Sequence, residues 1–132
     1  MKDLYVKIVC PDGQIFAGVA KSILVTTEDG EVQLLAGHAD FLAVLGTGRA
    51  KLALLDGSEK LAAVSGGFVT ASSEGVTVVA TTFEFAEDID IERAKRAKAA
   101  AEERMGNAKD ARELDIARAK LARAITRISI AS

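Results

Sequence analysis

Arg123 and Arg127 stand four positions apart, so in a helix they share one face; Arg93 lies about one turn after the acids Asp88 and Asp90. Guanidinium groups suit polyphosphate, because their planar forks donate paired hydrogen bonds. A carboxylate beside them can accept from an exocyclic amine. If two antiparallel helices bring residue 93 near residues 123 and 127, the cluster has the chemistry of a nucleotide site. Spacing alone favours a plainer reading, an ion-pair network within the helices.

The other reactive side chains point away from catalysis. His38 is the only histidine and Cys10 the only cysteine, so neither a metal site of familiar ligand spacing nor an internal disulfide can be built. Cys10 sits in an apolar run and reads as a strand residue. Ser65, in Val64-Ser65-Gly66-Gly67, does not lie in the Gly-x-Ser-x-Gly elbow of a hydrolase. No phosphate-binding loop ending in Gly-Lys-Ser/Thr is present. The residues therefore predict a non-catalytic protein without a required cofactor.

Positioning Arg93 against Arg123 and Arg127 falls to the last third of the chain. Ala, Glu, Lys and Arg dominate from Asp88 or Asp90, either of which can cap a helix, to Met105. Gly106-Asn107 stops that helix, and a second is expected from about Asp110 to about Ile128. Leu114, Leu121, Ile125 and Ile128 fall on one stripe of the second helix, opposite Ala94, Ala97, Ala101 and Met105 of the first. The short connection makes the pair an antiparallel hairpin. Its alanine seam buries little apolar area, so it must dock on something else to be stable.

Upstream the period is that of strands. Ten of the 11 glycines lie in residues 1–75. Short runs (Leu4–Cys10, Ile23–Thr27, Lys51–Leu55, Lys60–Ser65, Phe68–Ser72, Val76–Thr82) are separated by turn signals such as Pro11-Asp12-Gly13, Glu28-Asp29-Gly30, Asp56-Gly57 and Ser73-Glu74-Gly75. Gly66-Gly67 reads as a turn or as a close approach of two backbones. The expected architecture is α+β: an N-terminal antiparallel β-sandwich, residues 1–87, followed by a C-terminal antiparallel two-helix hairpin, residues 88–132.

Charge follows the same division. Residues 1–87 hold 6 Lys+Arg and 11 Asp+Glu, a balance of −5, and residues 88–132 hold 11 and 8, a balance of +3. The overall charge of −2 gives no reason to expect a nucleic-acid partner. Asp3 interrupts the apolar segment a signal peptide would need, and no run reaches the roughly 18–20 apolar residues of a membrane span, so any membrane association is expected to be peripheral.

Together these residues resemble the epsilon subunits of bacterial F-type ATP synthases over nearly the whole chain. Pro11-Asp12-Gly13 looks like that family's opening turn. Gly30-Glu31-Val32-Gln33-Leu34-Leu35-Ala36-Gly37-His38 resembles its Gly-Glu-Leu-Gly-x-x-Pro-Gly-His segment, with Gln33 and Ala36 in place of Gly and Pro and Asp40 where another Pro often follows. Val64-Ser65-Gly66-Gly67-Phe68 resembles its Ser-Gly-Gly-Phe turn, and Ala86-Glu87-Asp88-Ile89-Asp90 its run into the first helix.

The resemblance implies a non-catalytic regulatory subunit on the central stalk, at the cytoplasmic face of the bacterial cell membrane. Its sandwich would touch the gamma subunit and the c-ring through Glu31 and His38. Its hairpin would either fold onto the sandwich or extend to the catalytic alpha and beta subunits and inhibit hydrolysis. It also implies ATP as a regulatory ligand of the folded hairpin: Ile89-Asp90-Ile91-Glu92-Arg93-Ala94 matches the family's Ile/Leu-Asp-x-x-Arg-Ala motif, with Glu84 as supporting acid and Arg123 and Arg127 as late arginines. A further arginine of the strongest nucleotide binders falls on Ala100, which predicts weaker binding. The alternative is a two-partner adaptor with no nucleotide ligand.

Overall fold

The computed structural model describes residues 3–37 and 40–131. Eight strands form the first part: β1 (Leu4–Cys10), β2 (Gly13–Ala20), β3 (Ser22–Thr27), β4 (Gly30–Leu35), β5 (Phe41–Val44), β6 (Gly48–Ala53), β7 (Glu59–Ser72) and β8 (Gly75–Phe85). A 3-10 turn, Ala86–Asp88, leads to α1 (Ile91–Gly106) and α2 (Ala111–Ala131). Strands run in the order β2-β1-β8-β7-β6-β3-β4, with β5 on β7. Neighbours are antiparallel except β1 and β8, which are parallel. That exception escapes a strand-by-strand reading because direction within a sheet is set by long-range pairing.

Of the two readings of Gly66-Gly67, the close approach of two backbones holds and the turn does not. The two runs read as separate strands are one, β7, whose first half pairs with β6 and second half with β5, so it crosses between the layers of the sandwich. Both glycines have positive φ, 74° and 97°. A Cβ on Gly67 would lie 1.9 Å from the Val79 carbonyl oxygen, so the bend needs a residue without a side chain. The expected strand at Lys51–Leu55 instead covers Gly48–Ala53. The Asp56-Gly57 turn starts earlier than expected, with the Leu54 N–H donating to Ser58 O (2.9 Å) and the Gly57 N–H to Leu54 O (3.2 Å). Strands β2, β4 and β5 carried too little alternation to be read beforehand; β2 is exposed along most of its length.

The sandwich core is apolar and continuous, with Val6, Ile8, Ile23, Val25, Leu34, Leu52, Val64, Val69 and Val78 essentially inaccessible. Each such side chain contributes about 1.5–3 kcal/mol on burial. The hairpin has a separate and much smaller core. Ala94 and Ala101 of α1 and Ala117 and Ala124 of α2 are its buried residues. Of the expected stripe on α2, Leu114, Leu121 and Ile128 are half-buried, at helical spacing from Ala117 and Ala124, whereas Ile125 is 47% exposed. Helix α2, which ends three residues later than expected, packs on β6 and β7, so the hairpin lies folded against the sandwich.

Candidate functional site

Asp90 ends the extended link after the 3-10 turn and caps α1: the Arg93 N–H donates to its Oδ1 at 3.0 Å. That cap sets the first turn of α1, with Arg93 exposed and Ala94 buried. Near the C-terminal end of α2, the Arg127 Nε donates to Glu84 Oε1 at 3.1 Å, tying α2 to β8. Glu84 points outward between the buried Phe83 and Phe85, as the period of a strand requires. These parts enclose a cleft of about 470 Å³. Its lining includes Glu84, Asp88, Asp90, Arg93, Ala94 and Arg127, together with Cys10, Asp12 and Ile15 from the first hairpin of the sandwich.

Five of the seven residues expected to hold a nucleotide, Glu84, Asp90, Arg93, Ala94 and Arg127, therefore line one cleft. Ile89 and Arg123 do not. Ile89 lies in the link, and Arg123 is half-buried one turn before Arg127, outside the lining. The ion-pair network expected within the hairpin is not formed. Among the described residues its ion pair is Lys95–Glu92 at 3.7 Å, while Arg127 reaches the sheet instead. The packing of α2 on the sandwich decides this, because it puts Glu84 nearer to Arg127 than any acid of α1.

The wall formed by Asp12 and Cys10 was not foreseen as part of a site. Pro11-Asp12-Gly13 signals a turn, and nothing local says what the turn faces. Burial pushes the Cys10 thiol above its ordinary value, opposed by a hydrogen bond with the Phe83 backbone and helped by Asp12. A raised thiol is a poor nucleophile at neutral pH, in keeping with a strand residue. Ser65 is buried, its Oγ 2.9 Å from Thr47 Oγ1.

A second concavity, about 750 Å³, lies at β4 and β5 and is lined by Glu28, Asp29, Glu31, Phe41, Leu42, Val44 and Phe68 among others. Leu42 is 71% and Val44 53% exposed, on the strand that follows the Gly30–Gly37 segment. Glu31 is held on its rim by two bonds from Arg49, Nε to Oε2 at 2.6 Å and Nη2 to Oε1 at 3.1 Å. The guanidinium holds the Glu31 carboxyl below its usual value. His38 lies outside the described residues.

Among the described residues no group of His, Cys, Asp or Glu is arranged to hold a metal ion, and no helix is long and apolar enough to cross a membrane.

Known proteins match over the whole chain. The family described as ATP synthase, Delta/Epsilon chain, beta-sandwich domain, matches residues 3–86, and its long alpha-helix domain matches residues 87–132. The ATP synthase epsilon chain of Bacillus pumilus is 41% identical, covering 99% of this chain and 98% of its own length. That of Bacillus licheniformis is 43% identical, covering 99% of both. Among solved structures, a chain of the Euglena gracilis mitochondrial ATP synthase, OSCP/F1/c-ring, superposes with a TM-score of 0.79 at 22% identity, covering 91% of this chain and 76% of that one.

Proposed function

Since this chain belongs to the ATP synthase delta/epsilon family, we propose that it is a non-catalytic epsilon subunit of the central stalk whose hairpin is a movable regulatory arm. The sandwich is the fixed part. The groove of Leu42, Val44 and Phe68, with Glu31, and His38 as implied by the family resemblance, is the surface that meets the gamma subunit and the c-ring. It is peripheral to the membrane, attached through the complex on the cytoplasmic side. The hairpin, with its surplus of positive charge, engages the alpha and beta subunits when extended and restrains ATP hydrolysis.

The observation that carries this reading is the small interface of the arm. The arm's own core is a seam of alanines, and among the described residues the ion pair that ties its helices to the sheet is Arg127–Glu84, which is little to offset the ordering of two helices. Such an arm is docked by a margin that a ligand or partner can reverse. ATP in the cleft of Asp90, Arg93 and Arg127 would supply it, because a ligand of the docked form alone stabilises that form by about 2.7 kcal/mol at a hundredfold excess over Kd. Titration of the full chain with ATP, read on backbone amide shifts of residues 88–131, tests this. Shifts that saturate support the regulatory ligand, and silence at millimolar nucleotide removes it.

One observation favours the adaptor without nucleotide. The cleft holds four acids, Asp12, Glu84, Asp88 and Asp90, against Arg93 and Arg127, and Arg127 is already paired. A polyphosphate would have to compete with Glu84 for that guanidinium. The same titration decides between the two, since an adaptor keeps its gamma-subunit affinity while showing no ATP response.

A further inference from the structure

The two surfaces are joined by one row of residues across the outer face of the sheet. Glu31 pairs with Thr26, Arg49 with Ala63, and Ala63 with Glu84. The register of β3 on β6 places Thr26 opposite Arg49, and the Thr26 hydroxyl donates to the Arg49 carbonyl at 2.8 Å. The row thus reads Glu31, Thr26, Arg49, Ala63, Glu84, and ends on Arg127 of α2.

Arg49 stands two strands from each carboxylate. Strands lie about 4.8 Å apart, so either acid is roughly 10 Å away at the backbone. Arg49 spans that distance over Thr26 when it bonds Glu31, and the same reach over the smaller Ala63 arrives at Glu84. Two things prevent it in the docked form. Glu84 is held by Arg127. Ala63 faces outward, yet it is only 6% exposed and lies apart from the sandwich core, where α2 packs on β6 and β7.

We propose that Arg49 is a two-position switch. It holds Glu31 while α2 covers Ala63, and it turns to Glu84 when the arm leaves, freeing the Glu31 carboxylate for the partner that meets the groove. Departure removes Arg127 from Glu84 and uncovers the path in one step. The device rests on the mobile arm proposed above and makes the arm's position legible at the other end of the row. The positive charge near Glu31 is then reduced to Lys51, the other cation felt by that carboxyl.

The test uses the full chain and an Arg127→Glu variant, which sets like charge against Glu84. Hydrogen exchange of α2 amides reports release, and side-chain carboxyl NMR reports the Glu31 titration midpoint. The expected result is release together with a rise of the Glu31 midpoint. Adding Glu84→Gln, which removes the second acceptor, should abolish that rise while release persists. In Arg49→Gln the midpoint should be high whether the arm is docked or not. Release with an unchanged Glu31 midpoint, or a rise that survives Glu84→Gln, overturns the switch and leaves the mobile arm standing. Should Arg127→Glu stay docked, an Ala117→Asp, Ala124→Asp variant breaks the helix seam directly; if Ala63 is still covered there, the switch and the mobile arm both fall.

Discussion

Arg127 and Glu84 are 43 positions apart in sequence and 3.1 Å apart in space, and they join the last helix to the last strand. Both side chains are about one-third exposed, at 29% and 36%. Screening therefore limits the pair to the upper part of the range for surface ion pairs, about 1 kcal/mol. Because the arm's own core is made of alanines, even that is a large share of what holds it down.

Arg127→Ala is accordingly expected to raise the hydrogen-exchange rate of α2 amides by roughly fivefold, the equivalent of about 1 kcal/mol. Amides of β7 and β8 within the sandwich should exchange as before. Mass-spectrometric exchange on the full chain separates the two regions.

Asp90 has two roles that substitution can separate. Asp90→Ala removes the bond to the Arg93 N–H and should cost about 1 kcal/mol of helix stability. Asp90→Ser keeps a cap and should leave the helical circular dichroism near wild type. If the carboxylate also accepts from a ligand amine, Asp90→Ser loses the ATP-dependent amide shifts while remaining folded.

Gly67→Ala should be among the most damaging single changes. It combines a φ of 97° with a Cβ that would sit on the Val79 carbonyl oxygen, so backbone must move where β7 changes layers. A loss of about 2–4 kcal/mol in urea unfolding is expected. Gly106→Ala is the contrasting control. It meets nothing within 4 Å and lies at the end of α1, so up to about 1 kcal/mol of stabilisation is expected.

Acid should weaken the sandwich in a defined direction. Glu31 is lowered by Arg49, and Asp56 is lowered by two bonds from Ser58, through its hydroxyl and its N–H. In each case the unfolded chain binds the proton more readily than the folded one. Their stabilisation is therefore complete above the ordinary carboxylate range and is lost as pH falls through the depressed folded values. Thermal unfolding between neutral and acid pH should show a fall in Tm that is smaller in an Arg49→Gln, Asp56→Asn double variant.

What was legible beforehand is local. Turn residues such as Asp12-Gly13 and Asp56-Gly57, the period of the apolar runs, and the change to Ala, Glu, Lys and Arg after Glu87 define the strands and helices because each signal acts within a few residues. Asp90 could be read as a cap for the same reason. The motif that contains it holds three residues, Asp90, Arg93 and Ala94, that line one cleft, which Glu84 and Arg127 join from outside the motif.

Contacts across the fold were not legible in this way. Arg127 could have paired along its own hairpin, and Ile125 could have been buried; the docking of α2 on β6 and β7 settled both. The bend at Gly66-Gly67, the parallel pairing of β1 with β8, and the row from Glu31 through Arg49 and Ala63 to Glu84 depend on register between distant segments. The sequence by itself determined the two kinds of element, strands and then helices, and where one gives way to the other. Only the tertiary structure decided which charges meet, because an ion pair forms between side chains brought within a few ångströms by packing, and sequence spacing constrains that only inside a single element.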